Sequence, residues 1–228
     1  MTELFENKRF IILTGNYGSG KTEIALNLAL RAAEREKTTL VDLDIVNPYF
    51  RSGEKADELR EKGIRVLMPV FAMTTVDIPA LPAEIQSVFE SDAERIIFDV
   101  GGDDTGAAAL GRYFPSFMMR RQEVMTALVV NCMRPLTETR EDILDLAERI
   151  QARGRLKLDM LINNTNLADQ SDGKMLLAPS GMLRECAREL DIQRFVFCGT
   201  DSVIREAGLG EEAMVISRKM VPEWMREA

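Results

Sequence analysis

An eight-residue stretch near the start of the chain constrains the fold more than any other part of the sequence. Residues 15–22 read Gly-Asn-Tyr-Gly-Ser-Gly-Lys-Thr and fit the pattern G-x-x-x-x-G-K-S/T at every fixed position. The apolar, β-branched run 9–14 precedes them, and residues 23–36 carry apolar side chains at helical spacing. A strand, a glycine-rich turn and a helix in this order predict a loop that binds phosphate groups.

The residue types in this phosphate loop suit a polyphosphate and its metal ion. The glycines let backbone N–H groups point toward one place, and the helix that begins near Lys21 adds the positive end of its dipole. Lys21 is expected to contact the β- and γ-phosphates as a catalytic charge, and the Thr22 hydroxyl is expected to bind Mg²⁺. We predict nucleotide contacts along the whole loop, which consists of Gly15, Asn16, Tyr17, Gly18, Ser19, Gly20, Lys21 and Thr22.

Aspartates follow two further predicted strands. Asp42 and Asp44 stand at the end of the run 38–43, and Asp99 follows the apolar residues of the run 95–98. Because ligands bind at the carboxyl ends of the strands in open α/β sheets, Asp44 and Asp99 are predicted to hold Mg²⁺ or its water. Turn formation is the alternative for Asp44, since turn-forming residues come after it.

The run that ends in Asp99 has the form of a Walker B strand. Residues 99–102 also spell D-x-x-G, the switch arrangement of nucleotide hydrolases. The glycines after Asp99 would let the chain move toward a γ-phosphate.

Predicted strands alternate with predicted helices along the whole chain. Strands that read as continuous apolar runs between helices imply a parallel sheet with both faces covered. The sequence therefore predicts an α/β fold with a mostly parallel sheet of about seven strands and helices on both faces. No Gly/Ser-rich or Pro-rich linker interrupts this pattern, so residues 1–228 are expected to form a single domain.

Two local predictions concern the second half of the chain. Residues 138–153 form an amphipathic pattern, and Gly154 is expected to end that helix. The tail 211–228 is expected to pack on the core, with docking on a membrane or a partner as the alternative.

The amino-acid composition excludes several kinds of catalytic and metal site and opposes two kinds of binding. The chain has no histidine and three widely spaced cysteines, which excludes histidine-based catalysis, a disulfide framework and a Cys/His metal cluster within one chain. The net charge of -8 opposes broad binding to nucleic acid, and no apolar run approaches the ~18 residues of a membrane span. The polar, acidic N-terminus does not resemble a secretion signal, so we expect a cytoplasmic location without nucleic-acid or membrane binding.

With these residues in place, the chain resembles the MinD/ParA-type nucleotide-binding domain, a branch of the P-loop NTPases. Four blocks carry the resemblance. Residues 15–22 match the phosphate loop, 41–44 (Val-Asp-Leu-Asp) look like the family's D-x-D, and 96–99 with Gly102 resemble its Walker B strand and second switch. Residues 199–211 are similar to the loop that encloses the adenine in relatives. The resemblance implies a three-layer P-loop NTPase fold that binds ATP and Mg²⁺.

The resemblance also implies roles for single residues. Asp44 looks like the residue that orients the attacking water or the metal shell, and Asp99 like the one that holds a Mg²⁺-bound water. Asn163 stands where relatives present an asparagine to adenine, and Asn164 beside it is included in the predicted base site. A protein that recognises guanine would need Asn/Thr-Lys-x-Asp at this strand end, whereas the chain has Asn-Asn-Thr-Asn. ATP is therefore expected rather than GTP.

One position departs from the family pattern. The second residue of the loop in MinD/ParA proteins is a signature lysine that crosses to the nucleotide of a dimer partner, and here it is Asn16. Asparagine is neutral and too short to cross. Arg51 and Arg112 are the predicted in-chain sources of the missing charge, with a homodimer or another partner protein as the alternative.

Three functions remain open on the sequence alone. The first is a slow ATP-hydrolysing switch in which the γ-phosphate holds the loops at Asp44 and Gly102 until hydrolysis releases a partner protein. The second is a phosphotransferase or ligase whose arginines, Arg51 and Arg134, clamp a small anionic metabolite. The third is a nucleotide-binding module with negligible turnover.

Overall fold

A computed structural model describes residues 3–5, 7–44, 53–68, 83–102, 104–211 and 213–220. These residues form one eight-stranded sheet in which every strand pair is parallel. The strands are β1 (Phe10–Thr14), β2 (Thr38–Leu43), β3 (Arg65–Leu67), β4 (Arg95–Val100), β5 (Val124–Val130), β6 (Met160–Asn163), β7 (Arg194–Thr200) and β8 (Ala213–Ile216). Their order across the sheet is β3-β2-β4-β1-β5-β6-β7-β8.

Helices connect the parallel strands, as the crossover geometry of a parallel sheet requires. They are α1 (Lys21–Ala33), α2 (Gly53–Glu61), α3 (Ala83–Ser87), α4 (Asp104–Gly111), α5 (Phe114–Met119), α6 (Arg140–Gly154), α7 (Gly173–Leu177), α8 (Ser180–Glu189) and α9 (Asp201–Glu206). Within the described ranges, no helix has both the length and the apolar character to cross a membrane.

The central strand β1 is buried along its whole length because helices cover both faces of the sheet. Ile11 and Leu13 pack with residues of α1 and α2, whereas Phe10 and Ile12 pack with residues of α3, α4 and α5. On the second face Phe10 stacks on Phe89, with ring centroids 5.4 Å apart. The predicted α/β fold with both sheet faces covered is therefore confirmed.

The sheet has one strand more than the sequence predicted. Residues 213–216 were assigned to the tail, but they form β8 and pair in parallel with β7. Met214 is fully buried there, so the expected packing of the tail on the core holds for its described part. Residues 45–52, 69–82 and 221–228 lie outside the described residues, and Arg51 is among them.

The helix α6 ends at Gly154, as the sequence predicts, but another residue adopts the left-handed conformation after it. Gly154 is the last residue of the helix, and the left-handed residue that follows it is Arg155, with a φ of 58°. Gly154 instead serves a close contact, since a Cβ there would lie 3.3 Å from Leu110 Cδ2. The glycine is needed for helix packing and not for the turn.

Candidate nucleotide-binding site

The phosphate loop connects β1 to α1 in a conformation that depends on glycine. Gly15, Gly18 and Gly20 all have positive φ values, of 142°, 73° and 92°. A Cβ at Gly15 would lie 2.2 Å from Val129 O, and a Cβ at Gly20 would lie 2.3 Å from Asn164 Nδ2. Glycine is therefore required by backbone shape and by the close approach of the neighbouring strand ends.

Lys21 opens α1 and folds back over the loop. Its Nζ donates a 2.9 Å hydrogen bond to Asn16 O, and the residue is only 7% exposed. The N-cap Gly20 has no side chain with which to cap the helix, so the first N–H groups of α1 remain available to an anion. A buried lysine beside these donors creates a site for negative charge.

Asp99 lies beside this site at the end of β4. The Thr22 hydroxyl donates a 2.6 Å hydrogen bond to Asp99 Oδ2. Burial raises the pKa of Asp99 to about 6, while the charge of Lys21 and the bond from Thr22 lower it and the charge of Asp44 raises it further. The negative charge of Asp44 thus acts on the Asp99 carboxyl in the same direction as burial does.

Asp44 is half-buried and lines the same cavity. Its backbone N–H donates a 2.9 Å hydrogen bond to Oδ1 of the buried Asp42. Asp42 thus holds the backbone at Asp44 in place at the end of β2. The structure brings the three predicted metal-binding residues, Thr22, Asp44 and Asp99, to one edge of the sheet.

This donor set fits Mg²⁺ that arrives with a nucleotide. Among the described residues, no group of three or more Asp, Glu, Cys or His side chains could hold a metal ion by itself. Mg²⁺ is usually bound by one or two carboxylates together with substrate phosphates and water. A hydroxyl from Thr22 and a carboxylate from Asp99, next to a phosphate-binding loop, match that arrangement.

The asparagines after β6 divide into two environments. Asn163 is fully buried, where its Nδ2 donates to Leu176 O at 2.8 Å and its Oδ1 accepts from the backbone N–H and hydroxyl of Thr165. Asn164 points to the other side and donates a 2.8 Å hydrogen bond to Ser19 O in the phosphate loop. The structure therefore corrects the placement of Asn163, which shapes the loop after β6 and does not line the cavity.

A cavity of about 790 Å³ extends from the phosphate loop along the ends of β5 to β8. This volume is in the range of small-molecule sites. The phosphate loop, Asp44 and four further chain segments line it. The residues of those segments include Arg134, Pro135, Leu136, Asn164, Thr165, Asn166, Ala168, Ser171, Gly199, Thr200, Val203, Ile216, Arg218 and Met220. Arg112 is not among the described residues that line it.

Arg134, which the sequence suggested only as a clamp for an anionic metabolite, lines the cavity beside the phosphate loop. It follows β5, the strand that pairs directly with β1. A Cβ added to Gly18 would lie 3.3 Å from Arg134 Nε, so the arginine side chain covers this part of the phosphate loop.

The chain after β8 closes the other end of the cavity. The carboxylate of Glu23 accepts hydrogen bonds from the backbone N–H groups of Lys219 and Met220, and Arg218 forms an ion pair with Asp169. Asn27 in α1 exchanges hydrogen bonds with the backbone of Ser217. This segment is thereby attached to α1, the helix that follows the phosphate loop, a connection that the sequence did not predict.

Fold and site together define a P-loop nucleotide-binding fold. It is a parallel sheet whose central strand leads into a glycine-rich loop, a lysine and a helix.

No protein-family model matches the sequence, and no curated protein matches it either. Solved structures do match. The first is the signal recognition particle 54 kDa protein from Aeropyrum pernix K1 in complex with GDP, at 22% identity and a TM-score of 0.53, covering 88% of this chain and 43% of that one.

Two further structures extend this comparison. Chloroplast FtsY from Physcomitrella patens matches at 17% identity and a TM-score of 0.50, covering 81% of this chain and 56% of that one. A nucleotide-binding protein from Archaeoglobus fulgidus in complex with ADP is 14% identical with a TM-score of 0.48, covering 98% and 93%. This chain spans about half the length of the first two proteins. The likeness to the signal recognition particle protein and to FtsY shows the P-loop NTPase fold, and it does not show the MinD/ParA family.

Proposed function

We propose that the protein is a nucleotide-controlled switch that binds ATP with Mg²⁺ at residues 15–22 and hydrolyses it slowly, and that residues 1–228 act as one domain. The observation that carries this proposal is the 2.6 Å bond from Thr22 to Asp99 beside the buried Lys21. It places a hydroxyl, a carboxylate and a cation at the N-terminus of one helix. Phosphoryl transfer needs this combination of positioning and neutralised charge.

The chain's own residues have distinct roles in this reaction. The loop N–H groups and Lys21 bind and orient the phosphates, and Thr22 and Asp99 would hold Mg²⁺, which neutralises charge on the β- and γ-phosphates when it is bound. Asp44 orients the attacking water from the end of β2. Asp42 fixes the backbone of Asp44.

Gly102 supports the switch part of the proposal. A Cβ on Gly102 would lie 2.4 Å from Tyr17 N and 2.8 Å from the carbonyl carbon of Asn16. The loop after β4 therefore touches the phosphate loop directly. A γ-phosphate bound at residues 15–22 would contact or displace this loop, and its loss would release it, which is how nucleotide switches pass a signal to a partner protein.

ATP is proposed over GTP because the loop after β6 lacks the lysine and aspartate of the motif that recognises guanine. Asn164, Thr165 and Asn166 line the cavity where a base would bind. The four sequence blocks shared with MinD/ParA proteins support the same choice. GDP in the signal recognition particle structure belongs to that protein and does not decide the base here.

A phosphotransferase that acts on a small anionic metabolite is the second candidate. The observation in its favour is that Arg134 lines the cavity next to the phosphate loop. Hydrolysis or transfer that appears only with a metabolite would favour this candidate. Turnover that a partner protein accelerates would favour the switch, and tight binding without turnover would indicate a binding module.

Calorimetric titration with Mg²⁺–ATP tests the proposal. Wild type and Lys62→Ala, a lysine outside the cavity, are expected to bind. Lys21→Ala is expected to weaken binding at least about 100-fold, because it removes the buried charge that lies beside the first N–H groups of α1. Equal ATP affinity in wild type and Lys21→Ala would contradict the site. Competition of bound ATP by GTP with equal strength would contradict the choice of adenine.

A further inference from the structure

The loop between β5 and α6 is fixed firmly against the phosphate loop. Within it, Thr137 Oγ1 donates to Asn131 O at 2.8 Å, and the N–H of Arg134 donates to the same oxygen at 3.1 Å. Asn131 Oδ1 accepts from the N–H groups of Met133 and Asn166 at 3.0 and 3.1 Å. These bonds give the backbone at Arg134 one defined position beside the site.

Asn16 joins this loop to the phosphate loop. Its Nδ2 donates a 2.8 Å hydrogen bond to Pro135 O, and its Oδ1 accepts one of 2.8 Å from the N–H of Tyr17. Its backbone oxygen accepts the hydrogen bond from Lys21 Nζ. One residue thus fixes the position of Lys21 and of the residue that follows Arg134.

The Arg134 guanidinium is a charge that the rest of the site leaves available. Its side chain is exposed and makes no hydrogen bond or ion pair with any residue in the described part of the chain. Its Nε lies next to Gly18, in the middle of the loop whose N–H groups face the phosphates. An arginine in such a place can form charge-assisted bonds to phosphate oxygens.

We propose that Arg134 supplies, from within the same chain, the positive charge that stabilises the transferring phosphoryl group, and that Asn16 positions it. This inference rests on the proposed ATP hydrolysis. In that reaction the water oxygen forms a bond to the γ-phosphorus while the bond from that phosphorus to the β-phosphate oxygen breaks. The electron pair stays on ADP, and the water's proton leaves with inorganic phosphate or to solvent.

The proposal gives the asparagine at the second loop position a function. In the MinD/ParA proteins that the sequence resembles, a lysine there acts on the nucleotide of a second subunit. Asn16 instead bonds to Pro135, the residue that follows an arginine of its own chain. Turnover per chain should therefore not depend on protein concentration. An arginine supplied in cis is consistent with slow turnover, on the order of 10⁻² s⁻¹ in the G-protein α subunits.

The test compares wild type with Arg134→Ala, Arg134→Lys and Asn16→Ala. Arg188→Ala, an exposed arginine on α8, is the matched control. Single-turnover hydrolysis of labelled ATP measures the rate. Binding of ADP alone and of ADP with aluminium fluoride, which stands in for the transferring phosphoryl group, separates ground-state from transition-state effects.

We expect Arg134→Ala to lower the rate of hydrolysis at least about 100-fold. The same variant should change ADP affinity less than about threefold, and it should abolish tight binding of ADP with aluminium fluoride. Arg134→Lys should recover part of the rate, and Arg188→Ala should match wild type. Asn16→Ala should lower the rate less than Arg134→Ala, with no further loss when the two are combined.

Three results would overturn the inference. They are an unchanged rate in Arg134→Ala, an equal loss of ADP and ADP–aluminium fluoride binding in that variant, and a wild-type rate per chain that rises with protein concentration. If wild type binds neither ADP nor ATP, the proposed function itself is wrong and this inference is wrong with it.

Discussion

Thr22 Oγ1 and Asp99 Oδ2 are joined by a 2.6 Å hydrogen bond across 77 residues of sequence. The contact follows from the register of the sheet, in which Leu13 of β1 is paired with Asp99 of β4. Both strands run in the same direction, so the residues that follow them come out at the same edge. The core of the site is therefore built by the sheet.

Removing the charge of Asp99 should stabilise the protein at neutral pH. Burial raises the pKa of Asp99 from an ordinary value of 3.8 to about 6. The folded protein thus keeps this proton up to about pH 6 while the unfolded chain releases it near pH 4, so stability falls as pH rises between those values. Asp99→Asn should raise the unfolding temperature at pH 7.5 by about 2 to 8 °C without metal.

The pH dependence of the Asp99→Asn variant tests whether the ionised Asp99 carboxylate destabilises the fold. The gain in unfolding free energy, measured with urea, should shrink as pH falls from 7.5 toward 4.5. Mg²⁺-dependent nucleotide binding should weaken at every pH because a neutral amide replaces a metal-binding carboxylate. A less stable Asp99→Asn protein at pH 7.5 would mean that the carboxylate stabilises the fold.

Adding one methyl group at Gly102 should disturb the site more than the fold. The new Cβ would lie 2.4 Å from Tyr17 N, so the loop after β4 must move away from the phosphate loop. We expect Gly102→Ala to lose at least about tenfold in nucleotide affinity or turnover, at a stability cost of about 1–3 kcal/mol. Titration and urea unfolding measure the two effects.

Gly181→Ala is the matched control for this change, because a Cβ at that position of α8 meets nothing within 4 Å. It should leave binding unchanged and stability equal or slightly higher. Normal binding by Gly102→Ala would show that its loop is not coupled to the phosphates.

Asn27→Ala should release the C-terminal segment from α1. Asn27 is buried and bonds both the backbone oxygen and the N–H of Ser217, at 2.8 and 2.9 Å. Its removal leaves those groups without their partner, which typically costs about 1–3 kcal/mol. Urea unfolding should show this loss, and amide exchange should become faster over Ala213–Ile216. The exposed Gln122→Ala is the control, and equal stability of both variants would contradict the connection.

Much of this site was predictable because parallel strands bring their carboxyl ends together. The loop 15–22 and the carboxylates at Asp44 and Asp99 could be placed at one edge from strand patterns alone. The sequence could not separate Asn163 from Asn164. Successive residues of an extended chain point to opposite sides, so a one-residue uncertainty in the strand end decides which amide is buried.

Two other features could not be predicted from local sequence patterns. One of them depends on the order of strands across the sheet, and the other is a very short strand. Arg134 reaches the phosphate loop only because β5 lies next to β1. The strand β8 has four residues, half of them only partly buried, too short for a periodic pattern. The catalytic roles of Lys21 and Asp44 stay predictions.

The last prediction concerns Asp44, whose carboxylate lines the cavity at the end of β2. Asp44→Asn keeps the shape and the backbone bond to Asp42, and it removes only the charge that would orient water or the metal shell. Removing a group that positions or activates a nucleophile typically costs about 10²–10⁴ in rate. We therefore expect single-turnover ATP hydrolysis to fall by that order while ADP binding without metal stays the same. Asp57→Asn, an exposed change on α2, should hydrolyse ATP like wild type. If Asp44→Asn keeps the wild-type rate, the water is oriented by another residue and the role given to the end of β2 is wrong.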